Sequence, residues 1–204
     1  MSKVTIQRLG HAFFRFVSPQ GRVLLMDPWI SQNPSLPEGW GDASKYTDVN
    51  YILVTHGHFD HTLGILEAAA AAPDALLIAQ FEVAMTYLGK GVKNALPTNI
   101  GSTITLDGGI KVSAVTATHS SSIQNPTTGA FDYQGTAMGF VIEFEDGFKV
   151  YAAGDTGLHA DMKYQVADFF KPDLAILPCD GLLTMSPEQA VAAARLVSPR
   201  HVIA

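Results

Sequence analysis

Thr55-His56-Gly57-His58-Phe59-Asp60-His61 is the stretch from which this chain is best read. The residues before it, Tyr51-Ile52-Leu53-Val54, have the composition of a buried β-strand that runs into Thr55. The residues after it, 63–72, have helical composition and stop before Pro73. Residues 56–61 of this strand-to-helix turn thus carry three histidines and an aspartate. In an extended segment, His56 and His58 project to the same side. Gly57 lets the backbone turn tightly between them. Asp60 and His61 sit where the helix should begin, so both can point back to the same region. Neutral imidazoles with a carboxylate suit zinc, manganese or iron. A single histidine is more often a surface or hydrogen-bonded core residue, but this many ligand types in one turn point to a metal.

Outward from the turn, short apolar runs recur. Residues 4–6, 13–17 and 23–26 read as neighbouring strands, with a tight turn at Pro19-Gln20-Gly21, and 75–79 reads as another. Residues 82–88 read as a helix closed by Gly89. Strands are expected again over 103–106, 111–116, 138–144, 148–153 and 174–177, with a hairpin turn at Glu145-Asp146-Gly147. Ser186 caps a helix that starts at Pro187 and runs through Leu196, and Val202-Ile203 begins one more strand. Each half of the chain has several β-runs, then a strand ending in chemically loaded residues, then a helix. This pattern favours two β-sheets in contact with helices on their outer faces, in a single domain spanning 1–204.

Composition limits the partners. The 204 residues are 47% hydrophobic and 16% charged, enough apolar material for a core. Thirteen Lys and Arg against 19 Asp and Glu leave a net charge of −6, which disfavours a broad basic face for nucleic acid. One cysteine rules out an internal disulfide framework and a multi-cysteine zinc ribbon. No targeting segment is visible, and the alanine-rich stretch 67–72 is too short and interrupted to span a bilayer. The expected location is the cytoplasm, with no membrane partner.

The His-x-His-x-Asp-His motif after an apolar strand resembles the metallo-β-lactamase superfamily. The likeness extends to Thr118-His119-Ser120-Ser121 and to Ala153-Gly154-Asp155-Thr156-Gly157. Gly10-His11-Ala12, Asp27-Pro28 with Asn33-Pro34, and Thr184-Met185-Ser186-Pro187-Glu188 narrow it further. They resemble the branch of small metal-dependent hydrolases that includes the ascorbate-phosphate lactonases. The resemblance implies a four-layer αββα sandwich with the metal site at one edge between the sheets. It implies that His56, His58 and His119 hold a first ion, and that Asp60 and His61 hold a second and are the catalytic candidates. Asp155 would bridge the two ions. It further implies a hydrolase that uses a metal-bound hydroxide, with zinc as the expected cofactor and manganese or iron as alternatives. The substrate class implied is a small anionic ester, lactone or phosphodiester. A nuclease, an iron redox enzyme and a non-catalytic metal-binding protein with an incomplete second site are the alternatives. The family closes its second site with a histidine after the last core strand. The chain stops at Ala204, before that position, so the expectation is a domain lacking its C-terminal end. His201 precedes the strand and is not assigned.

Other residues follow from their neighbours. For His11, which follows the first strand, the resemblance implies a place near the site and so a substrate or second-layer role, and a buried structural histidine is an equal reading. Asp27 is expected to orient a metal-bound histidine or to shape its own turn. Ser120 offers a hydroxyl toward substrate, and His159 lies four positions after Asp155. Cys179 reads as a buried, inert thiol. Residues 120–135 read as a flexible lid or substrate-contact loop. The long loop 28–48 carries Trp29 and Trp40, either of which can form an apolar wall or simply pack.

Overall fold

In a computed structural model describing residues 3–204, the chain forms two compact units. The first comprises Met1–Thr98 and Ser121–Gly135, the second Asn99–Ser120 and Thr136–Ala204. Met1 and Ser2, which precede the expected N-terminal strand, lie outside the described residues.

The first unit is built on a six-stranded sheet whose strands lie in chain order. They are β1 (Thr5–Arg8), β2 (Phe14–Val17), β3 (Val23–Met26), β4 (Tyr51–Val54), β5 (Leu76–Gln80) and β6 (Ala95–Thr98). β1 to β3 pair antiparallel, and β3 to β6 pair parallel. The β2–β3 turn falls at Gly21, which adopts a left-handed φ of 84° and donates its N–H to Ser18 O at 2.9 Å. β3 and β4 are buried along their whole length, which is why they read as unbroken apolar runs. β6 has no counterpart in the sequence reading. It contains Pro97, which argues against a central strand but is tolerated at a sheet edge, where β6 lies.

After the short α1 (Phe59–Thr62), helices α2 (Ile65–Ala71) and α3 (Phe81–Gly89) cover one face. Ile65, Ala68, Val83, Ala84 and Tyr87 pack there with Leu25, Ile52, Val54 and Leu77. The helix expected from residue 63 is broken at Gly64, where the chain presses on the β3 corner. Gly64 N donates to Pro28 O at 2.7 Å, and a Cβ there would come within 2.6 Å of that oxygen. The long loop 28–48 is shaped by a 3₁₀ turn, Ala43–Tyr46, capped by the Asp42 carboxylate accepting from Ser44 N. Tyr46 is buried and donates to Trp40 O, and burial pushes its hydroxyl pKa up to about 12. Segment 120–135, expected as a flexible lid or substrate-contact loop, has regular structure of its own. It holds a hairpin of β9 (Ser122–Gln124) and β10 (Phe131–Tyr133), whose turn is tied by Asn125 Oδ1 accepting from Thr127 N and Thr128 N.

The second unit also has a six-stranded sheet. Its strands are β7 (Thr103–Thr105), β8 (Lys111–Thr116), β11 (Met138–Glu143), β12 (Lys149–Ala152), β13 (Leu174–Ile176) and β14 (His201–Ile203). Their order is β14-β13-β12-β11-β8-β7. The expected hairpin turn is present, with Gly147 N donating to Phe144 O at 2.9 Å. Helix α4 (Pro187–Val197) opens on a full capping box between Ser186 and Gln189. A π-helix, Met162–Phe170, was not anticipated. Its Met162 and Val166 pack with Ala190, Ala193 and Val197 of α4 against Val141, Tyr151 and Ala175 of the sheet. Each unit therefore supplies one sheet with helices on one face. Among the described residues no helix is long and apolar enough to cross a membrane.

Tyr151 is fully buried in this second core, its hydroxyl has no hydrogen-bond partner among the described residues, and burial pushes its pKa up. An unsatisfied buried hydroxyl costs about 1–3 kcal/mol. Tyr151→Phe is therefore expected to raise stability by about 1 kcal/mol, seen as a melting temperature a few degrees higher. A clear fall in melting temperature would show that the hydroxyl is bonded.

Candidate metal centre

β3 and β4 run side by side and parallel, so their carboxyl ends emerge together, the usual place for a site in such a sheet. Asp27 and Thr55 are the first residues past these ends. Asp27 is fully buried, and its N–H donates to Leu53 O at 2.9 Å. Its φ of 49° is left-handed, a conformation a non-glycine residue holds at a cost of about 1–3 kcal/mol. Its carboxylate accepts from Thr55 N at 2.8 Å, Thr55 Oγ1 at 2.7 Å and His61 Nδ1 at 2.9 Å.

These bonds set the tautomers of two imidazoles. A carboxylate only accepts, so His61 carries its proton on Nδ1 and keeps a lone pair on Nε2. The Thr55 hydroxyl gives its proton to Asp27, so at 3.0 Å it accepts from His56 Nδ1. His56 therefore also presents a lone pair on Nε2, which faces His58 Nδ1 at 2.9 Å. A cation in place of the proton shared there would have both rings as ligands. Asp27 thus lies at its own turn and hydrogen-bonds the His61 ring.

Gly57 is needed for a reason other than the expected tight turn. Its φ is not left-handed, but a Cβ would lie 2.5 Å from Gln134 Cβ. The hairpin segment packs directly on this loop, and Ser121 Oγ accepts from Gly57 N and donates to Gln134 O, each at 3.1 Å. Ser121 is buried in this role, whereas the substrate candidate Ser120 is exposed.

His11 lies beside Asp60, with its Nε2 2.9 Å from Asp60 Oδ2. His61 Nε2 reaches the same oxygen at 3.7 Å. Burial raises the Asp60 pKa, but the His11 hydrogen bond, helped by the His61 ring, outweighs it and holds the carboxyl below its usual value. The His11 ring also stands edge-on to Trp29 at 5.2 Å. Trp29 in turn meets Phe59 at 5.7 Å, while Trp40 packs into the helix-side core. Of the two tryptophans, Trp29 is thus the one beside the candidate ligands.

In the second unit, β8 and β12 flank β11 and are both antiparallel to it, so they finish at the same end of their sheet. The loops after them carry His119 and Asp155, with Nε2 and Oδ2 3.8 Å apart. Thr156 holds these loops together. Its hydroxyl accepts from Thr118 N at 2.9 Å and donates to Gly157 O at 2.8 Å, and Gly157 N donates to Thr118 O at 3.0 Å. Both ring nitrogens of His159 are buried without a hydrogen-bond partner among the described residues, and burial lowers its pKa, partly offset by Asp161. His201 is exposed at the start of β14. Cys179 is half-buried against the core rather than fully enclosed.

Sequence reasoning missed Thr55, Ser121, Gln134 and Thr156 as organising residues. Their types are ordinary, and only their partners distinguish them. The one available signal was position, since Thr55 and Thr156 each adjoin a candidate ligand.

Residues 22–204 match the family model of the β-lactamase superfamily domain. A UPF0173 metal-dependent hydrolase from Rubrobacter xylanophilus is 43% identical over 198 residues, covering 97% of this chain and 79% of that protein. One from Methanosphaera stadtmanae is 40% identical, covering 97% and 81%. The solved structure of Igni18, a metallo hydrolase from Ignicoccus hospitalis, aligns with a TM-score of 0.83 and 31% identity over 98% of this chain and 80% of that one. An isothiocyanate hydrolase from Delia radicum gut bacteria shares the fold, with a TM-score of 0.71 at 21% identity. With its motif turn, its two helix-covered sheets and this likeness along nearly its whole length, the chain belongs to the metallo-β-lactamase superfamily and, within it, to the UPF0173 metal-dependent hydrolases.

Proposed function

We propose that this chain hydrolyses a small anionic ester, lactone or phosphodiester with two divalent cations, zinc being the first choice. In this reading His56, His58 and His119 hold one cation, Asp60 and His61 hold the other, and Asp155 is shared. The observation that carries it is the buried Asp27 carboxylate, which through Thr55 and His61 leaves two imidazoles with unprotonated Nε2 atoms. Ligating histidines commonly pass their other N–H to such an acceptor. The approach of His119 to Asp155 within the second unit supports their joint role.

When bound, the cations supply Lewis acidity and lower the pKa of a water. The protein's own contribution is orientation. Asp27 and Thr55 hold rings against rotation, Ser121 and Gln134 hold the loop between His56 and His58, and Thr156 holds His119 near Asp155. Two divalent cations against the carboxylates of Asp60 and Asp155 leave a locally positive site. That charge favours an anionic substrate on a chain whose net charge is −6.

Metal analysis of protein purified without chelator, followed by a panel of lactones, carboxylic esters and phosphodiesters, tests the reading. Two ions per chain and chelator-sensitive hydrolysis are expected. In Asp155→Asn the shared ligand loses its charge, so metal content and turnover should both fall while the metal-free protein melts as before. Wild-type metal content and hydrolysis in that variant would remove Asp155 from the centre.

A further inference from the structure

We propose that His11 is a direct ligand of the second cation, completing with Asp60 and His61 a set of two imidazoles and one carboxylate. The inference rests on the metal-dependent reading above and adds to it a ligand drawn from the N-terminal strand region.

The geometry comes entirely from the first unit. One donor atom from each of His11, Asp60 and His61 lies within 4.8 Å of the other two. Donors bound at about 2.0–2.2 Å around one ion stand roughly 3–4 Å apart, so these three fit one face of a coordination sphere. Both imidazoles aim at the same carboxylate oxygen, His11 Nε2 from 2.9 Å and His61 Nε2 from 3.7 Å. His61 is already prepared as a ligand because Asp27 takes its Nδ1 proton.

The backbone holds His11 in place by means that solvent exposure alone would not require. Gly10 and His11 are both left-handed, with φ of 94° and 55°. Gly10 presses so closely on Ser35 that a Cβ there would lie 2.4 Å from Ser35 O. Arg8 Nε donates to His11 O at 3.0 Å, and Trp29 stands edge-on to the ring. A non-glycine residue held left-handed beside a candidate centre is the kind of outlier that points to function. Two imidazoles and a carboxylate suit zinc, manganese or iron alike.

The test uses the full chain, stripped with chelator and titrated with zinc, and with cobalt as a spectroscopic probe. His11→Asn is the main variant, because asparagine tolerates the left-handed backbone. His11→Gln is the second, in case the first fails to fold. Wild type should take up two ions. The variants should keep the tighter one and bind the other at least about tenfold more weakly, with the cobalt absorption bands of that site shifted or lost. Two ions bound by a variant with unchanged affinity and unchanged cobalt bands would overturn the inference and leave the metal-dependent reading standing. A wild-type chain that takes up no second ion would overturn both.

Discussion

His58→Ala is expected to lose one ion per chain and to fall by more than about 100-fold in metal affinity at that position, beyond the 10–100-fold typical of losing an outer partner. Hydrolysis should fall with it. The structure indicates that this loss will not come from unfolding. His58 opens helix α1 without a side-chain cap, and its main contributions to that turn come from the backbone. Its carbonyl accepts from His61 N at 3.1 Å and from Thr62 Oγ1 at 2.9 Å, and alanine keeps both bonds. What alanine removes is the ring whose Nδ1 meets His56 Nε2. Metal analysis on protein prepared side by side with wild type, together with a melting curve of each metal-free form, separates the two effects. Unchanged metal content would show that His58 is not a ligand.

Asp27 should give the second large effect, and its two variants should fail differently. In Asp27→Ala, the Thr55 N–H, the Thr55 hydroxyl and the His61 Nδ1–H lose their common acceptor in a fully buried place. At about 1–3 kcal/mol for each stranded donor, the fold should lose about 3 kcal/mol or more. Asp27→Asn keeps the volume and tolerates the left-handed backbone, but one acceptor becomes a donor. With the amide nitrogen facing His61 Nδ1, the imidazole must move its proton to Nε2, the wrong tautomer for a ligand. Metal affinity should then fall by about 10–100-fold with little loss of melting temperature. Calorimetric metal titration of both variants and their melting curves measure this. An asparagine variant that binds metal like wild type would show that the tautomer is set by other contacts.

Much of the candidate site was legible because its candidate ligands are concentrated. His56, His58, Asp60 and His61 fall in one turn, and a strand that is apolar at every position announced where the turn would lie. The boundaries of β3 and β8 also followed from composition alone. The fold was harder to read wherever a distant segment decided the outcome. β6 contains a proline that only its edge position makes acceptable, and α2 starts late because Gly64 abuts Pro28. Segment 120–135 has a loop's composition, yet Ser121 and Gln134 anchor its hairpin on Gly57.

By itself, the sequence determined the strand-then-motif-turn pattern, the candidate ligand types and the acidic, thiol-poor character that rules out an internal disulfide framework and disfavours a broad basic face for nucleic acid. Periodicity and local spacing encode those properties within a few residues. Only the tertiary structure decided which proton each imidazole carries, because that depends on Asp27, which lies 34 positions from His61 and meets it where two parallel strands end together. It also decided that His11, 49 positions from Asp60, shares that carboxylate. A hydrogen bond is directional and short-ranged, so its partners are chosen by the meeting of strand ends in space, and no local pattern in the chain records that choice.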